Sequence, residues 1–230
     1  MQTLIKPSRL MRPDPSCVLY LPLWLLDAAS FGSKDMYSYI VTRTGATWTP
    51  QGHSLDGVDD LFTVPQKISI NDLVEITIIA VIYPTGWGEG GYGRILDKGQ
   101  KILMVNNTDT PLRNIQFQHS FSVSGAGWAT PLDSIALNKW YVVAATYNNS
   151  NTTNVPSMYI NGISQAVTEF VAPVGTASAD AANDLIVGNT AATTRSFAGI
   201  ISLVLYFNRI LTAPEILNYS ILIKRMLPWL

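Results

Sequence analysis

The sequence is poor in charge: Asp, Glu, Lys and Arg make up only 13% of its 230 residues, against ~25% in an ordinary globular domain. The net charge is −1, and the nearest thing to a basic cluster is the scattered N-terminal set Lys6, Arg9 and Arg12. Nucleic-acid binders draw most of their affinity from neutralising phosphates, so this balance excludes a nucleic-acid partner. Those three residues are read either as a solvated arm or as an assembly contact on a neighbouring subunit. There is one cysteine, Cys17, which rules out an intrachain disulfide; its place in the first apolar stretch marks it as a buried small residue. No apolar run approaches the ~20 residues that cross a bilayer, and Val18 to Leu26 is interrupted by Pro22. The start, Met1 to Pro7, lacks the uninterrupted apolar core of a secretory signal. A protein used without such export, or one without its leader, is therefore expected.

Carboxylates of the catalytic kind are scarce too. Glycan cleavage normally takes two carboxyl groups facing each other across the bond, and the chain has four glutamates, Glu75, Glu89, Glu169 and Glu215, far apart in sequence. His53 and His119 have no evident Ser or Cys partner, so a catalytic triad is unsupported. The expectation is a protein that is not an enzyme.

What the sequence does hold is β structure. Val74 to Tyr83 and Trp140 to Tyr147 are rich in β-branched and aromatic residues between turn residues. Ile102 to Val105, Ile115 to Phe121, Leu185 to Val187 and Ile200 to Phe207 continue a series of short strands, as in a sandwich or barrel. Asn161-Gly162 tolerates the positive φ angles of a tight hairpin turn. One helix is expected near the C-terminus, where Thr212-Ala213-Pro214-Glu215 has the form of a capping box. Ile216, Tyr219, Leu222, Ile223 and Met226 follow at helical spacing up to Pro228. The predicted layout is an extended arm over 1–16, one β domain over 17–210, and a helix with its tail over 211–230.

Five ordered segments carry a resemblance. They are Ser54 to Asp60; Ile76 to Pro84 with Arg94 to Gly99; Trp140 to Tyr147 with Met158 to Gly162; Ile186 to Asn189; and Phe197 to Ile216. Together they resemble the laminin-G-like, concanavalin A-like lectin/glucanase superfamily, which implies an all-β, two-sheet antiparallel jelly roll. In relatives that cleave glycans, the resemblance implies closely spaced acidic residues on one strand, and none of the four glutamates here has that spacing. Ile201-Ser202-Leu203 stands where the family usually has an acidic pair, which points to a covered sheet face. The opening Leu19 to Trp24 is similar to laminin-G-like proteins encoded in bacteriophage and environmental viral genomes.

That resemblance, with the sparse charge, implies a virion component assembled in a host cytoplasm, such as a capsid decoration or fibre-associated protein. Its partners would be copies of itself or a capsid protein. The competing account of the low charge is a surface rich in Asn, Thr and Ser. A cell-surface carbohydrate-binding or adhesion module is the alternative function, and a glycoside hydrolase the third. Candidate glycan contacts are Trp87 and Tyr92, set among five glycines between Thr85 and Gly93, and Trp128 in Gly125-Ala126-Gly127-Trp128; the rings could equally pack on the sandwich edge or at a subunit contact. Asp56, Asp59 and Asp60 offer oxygen ligands suited to Ca²⁺, which several relatives bind. The same side chains could instead satisfy turn amides beside Gly57.

Overall fold

The computed structural model describes residues 14–107 and 113–230. Lys6, Arg9 and Arg12 lie outside the described residues. Strands β1 (Cys17–Pro22), β2 (Ser30–Gly32), β3 (Ile40–Thr44), β4 (Thr47–Thr49), β5 (Gly52–Asp56) and β6 (Leu61–Val64) come first. The middle holds β7 (Glu75–Pro84), β8 (Arg94–Asp97), β9 (Lys101–Asn106), β10 (Asn114–His119) and β11 (Ala126–Ala129). Then follow β12 (Tyr141–Asn148), β13 (Ser157–Ile160), β14 (Ile163–Ser164), β15 (Thr168–Val171), β16 (Leu185–Val187), β17 (Ala198–Phe207) and helix α1 (Ala213–Met226).

All pairings between these strands are antiparallel, and they make two sheets. The first runs β14-β13-β12-β7-β17-β5-β4, with β1 also on β17; the second runs β15-β11-β10-β9-β8-β16-β6-β3-β2. The predicted all-β, two-sheet sandwich with one C-terminal helix is the observed architecture, consistent with a concanavalin A-like jelly roll.

The two sheets bury one large core between them. From β7, Ile76, Ile78, Ala80 and Ile82 enter it, while Ile79 and Val81 point the other way into a second apolar cluster. That second cluster is closed by α1 and the tail, through Ile216, Ile223 and Leu227. The first sheet is therefore covered on both faces, which is why β7 and β17 read as nearly unbroken apolar runs. Of the apolar stretch Ile201 to Leu203, Ile201 enters the core between the sheets and Leu203 the cluster closed by α1, so the chain itself covers both.

The Asn161-Gly162 turn has φ values of 56° and 82° and joins β13 to β14. A Cβ on Gly162 would lie 3.0 Å from the Ser220 Cβ, so the missing side chain lets α1 settle on the turn. At the helix start, the Glu215 carboxylate accepts the Thr212 backbone N–H at 2.8 Å and its hydroxyl at 2.9 Å. Arg209 pairs with both Glu215 and Asp14 at 2.7 Å. Asp14 and Ser16, expected in the arm, are thereby fastened to the domain.

An ionic cluster is buried near the β8–β9 turn. Lys98, Lys101 and Asp180 are each at most 1% exposed. Lys101 Nζ bonds the Asp180 carboxylate, and Lys98 Nζ donates to Asn71 Oδ1 at 2.9 Å and the Asp180 carbonyl at 3.1 Å. Burial pushes the Lys98 ammonium below its ordinary value, and the Asp180 charge opposes that shift.

Candidate functional site

Strand alternation builds a groove on the outer face of the second sheet. In β10, Ile115 and Phe117 enter the core, whereas Asn114, Gln116 and Gln118 line the groove floor. Asn106 of β9 stands opposite Asn114, and Ala129 of β11 stands opposite Gln116. Small residues on β11 leave room above the sheet. A Cβ on Gly127 would come within 2.4 Å of the Phe170 Cζ, so glycine lets that ring lie down on β11. Tyr92, Leu132 and Phe170 form the walls of a cavity of about 560 Å³, within the ~300–1,000 Å³ of small-molecule sites. Among the described residues, no carboxylate or cation lines it.

The groove residues are largely held in place. Asn114 Nδ2 donates to the Thr130 carbonyl at 3.2 Å. The Tyr92 ring carries the Arg195 guanidinium at 5.4 Å from its centroid, a cation–π contact. Its loop is closed by its own backbone: Gly93 N donates to Trp87 O at 2.9 Å and Glu89 N to Ser196 O at 3.0 Å. Gly88, at φ 77°, would put a Cβ 2.3 Å from the Ser196 carbonyl oxygen, so that bend requires glycine.

The sequence-predicted aromatics separate. Tyr92 walls the groove, and Trp87 lines a different, smaller hollow with Asn107, Arg113, Ala136 and Leu137. Trp128 is not a ligand platform. It is 0% exposed, packs against Phe117 and Tyr147, and donates from Nε1 to Glu169 at 3.2 Å. Alternation along β11 sends Gly127 and Ala129 outward and Trp128 inward. Sequence reasoning missed Asn114, Gln116, Gln118 and Phe170. The every-second-residue amides of β10 were a usable signal; Phe170 gave none.

Asp56, Asp59 and Asp60 do come together, with one carboxylate oxygen of each within 4.8 Å of the others. Two of them already serve turn amides: Asp56 Oδ1 accepts Val58 N–H and Asp60 Oδ2 accepts Asp56 N–H, both at 2.8 Å. Burial raises the Asp60 pKa, and the neighbouring Asp56 and Asp59 charges add to that. The trio has oxygen donors that suit a hard cation, and its visible work is closing the turn at Gly57.

Other polar residues have local duties. His119 bonds Asn149 at 3.0 Å and His53 bonds Arg43 at 3.2 Å. Burial first, then Lys101 for His119 and Arg43 for His53, lowers both imidazoles to about 4. Glu75 accepts from Asn148, and Glu215 is committed to Arg209 and the helix start.

Comparison with known proteins follows the same lines. Residues 56–217 match the family model of the concanavalin A-like lectin/glucanases superfamily. No curated protein matches the chain. Among solved structures, Trypanosoma rangeli sialidase is similar at a TM-score of 0.62 and 18% identity, over 93% of this chain and 33% of that one. The binding domain of Paraclostridial Mosquitocidal Protein 1 is similar at 0.65 and 14%, over 89% and 52%. The botulinum neurotoxin serotype D binding domain gives 0.64 and 14%, over 90% and 51%. The chain thus spans about a third of the sialidase and half of each toxin domain, and at these identities the likeness is one of fold.

Proposed function

The chain belongs to the concanavalin A-like lectin/glucanases superfamily, and on that premise we propose that it is a non-catalytic carbohydrate-binding domain that holds a glycan in the groove over β9, β10 and β11. The observation that carries this reading is the lining: amide side chains on the floor, aromatic rings at the walls, and no carboxylate among the described residues. Sugar C–H faces stack on Phe170 and Tyr92, and the amides exchange hydrogen bonds with hydroxyls. A glycosidase would need a carboxyl pair across the same groove. The toxin structures of like fold are named as binding domains, which supports binding over turnover. On a glycan array the intact protein binds specific glycans, and Phe170→Ala and Tyr92→Ala each weaken binding about tenfold. No binding to any glycan sinks the proposal.

A second reading, a self-assembling structural component such as a virion protein, with the cell surface as alternative location, is supported by the outward apolar residues of α1. Leu217, Ile221 and Leu222 are 44%, 40% and 45% exposed. Sedimentation that stays monomeric at high concentration counts against it.

A further inference from the structure

We infer that two loops beside the β2 edge of the second sheet form a separate binding surface, which seats apolar side chains in an anionic lipid surface. One loop, 33–39, joins β2 to β3, and the other, 65–74, joins β6 to β7. Ile68 is 94% exposed, Met36 72%, Ile40 64% and Tyr37 43%. Exposed apolar residues are ordinary when scattered, but these gather. Tyr37, Ile40 and Ile68 line one hollow together with Lys67, and Met36 adjoins Tyr37. Polar contacts hold the loops in this pose. The buried Asp35 carboxylate accepts the Tyr37 and Ser38 N–H groups at 2.9 and 3.2 Å. The Lys67 carbonyl accepts the Ile70 N–H at 2.9 Å, and the Tyr39 hydroxyl bonds Ser69 Oγ from loop to loop. None of these bonds involves the exposed apolar side chains, so their surface stays in water until a partner covers it.

Charge selects the partner. Lys34 and Lys67 stand exposed, one on each loop. The carboxylates of the same loops face backbone amides: Asp35 as above, and Asp72 with the Asp180 and Ala181 N–H groups. Asp184, exposed beside the second loop, accepts the Gln66 N–H at 2.9 Å. A second copy of this surface would set each lysine against its own counterpart. Residues 1–12 fit no better, since they bring Lys6, Arg9 and Arg12 and no carboxylate side chain; like charges repel in both cases. An anionic lipid surface supplies the opposite charge, and its fluid interface takes side chains of unlike shape without a matching pocket. Tyr37 suits the headgroup level, where tyrosine is enriched. Among the described residues no helix is long and apolar enough to cross a membrane, so the contact is a peripheral one.

The test is co-sedimentation of the intact chain with two kinds of vesicle, phosphatidylcholine alone and phosphatidylcholine holding about a third phosphatidylserine. The chain should bind the anionic vesicles at least about tenfold more tightly than the neutral ones. Ile68→Ser and Met36→Ser should each weaken that binding about tenfold, and Lys67→Gln about fivefold. All three side chains are exposed, so an unchanged thermal midpoint separates lost binding from lost folding. Binding to neither vesicle, or anionic binding that Ile68→Ser leaves intact, overturns the inference. So does a dimer in sedimentation velocity that Ile68→Ser dissolves, because the patch would then cover itself. Neither vesicle carries a sugar, so these outcomes leave the glycan reading of the groove to its own test.

Discussion

Asp180 shows how much one side chain can hold. It is wholly buried, and its carboxylate meets Lys101 and the Asp72 amide, the latter at 2.7 Å. Lys98 lies 3.9 Å from the same carboxylate. Removing the anion nearest to both lysines weakens the pairing of two buried ammonium groups, so Asp180→Ala should lose about 3–5 kcal/mol of unfolding free energy in urea titration. A loss below ~1 kcal/mol would show that the lysines find other partners. At this scale sequence is a weaker guide than it looks. Trp87 and Trp128 sit in similar glycine-rich surroundings, yet one rims a hollow and the other is core. The difference is strand phase: β11 is four residues long, too short for its alternation to reveal which face a residue takes.

Elements were the most legible level. β7, β12, β17, the Asn161-Gly162 hairpin and α1 all stand where periodicity and turn chemistry place them, with ends shifted by a residue or two. β15 escaped because Thr168 to Val171 are all exposed, so nothing apolar and periodic marks the strand that brings Phe170 to the groove. The remaining floor residues were readable one at a time; that they face a single cavity depends on the pairing of strands, which sequence order does not give. The helix itself divides into two sides. Ile223 is 0% exposed and Leu217 44%. Ile223→Ser should cost about 2–5 kcal/mol by opening the second cluster, and Leu217→Ser should stay within ~0.5 kcal/mol. Thermal denaturation of the two variants separates these outcomes, and equal losses would refute the packing described for α1.

For the whole molecule, acid should be the weak flank. His53 and His119 are held near 4 by burial, against ~6.5 in an unfolded chain. The unfolded state therefore binds more protons between those values, so the stability contributed by neutral imidazoles is complete above ~6.5 and is lost as pH falls towards 4. Each could contribute up to about 3 kcal/mol. Asp60 and Asp97, raised by burial, act in the opposite sense at the lower end. Urea midpoints taken at pH 7, 5.5 and 4.5 should fall, and His119→Gln should flatten the slope; a flat wild-type profile would contradict the assignment. Closure of the molecule also has an order in time. β1 leans along β17, and Ser16 Oγ accepts from Arg209, 193 positions later. A ribosome delivers the first partner long before the second, so β1 and one edge of β7 wait without their shared neighbour β17 until residues beyond 197 emerge. A chain stopped between β17 and α1 would therefore carry the complete first sheet with the apolar face that Ile216, Ile223 and Leu227 cover left bare.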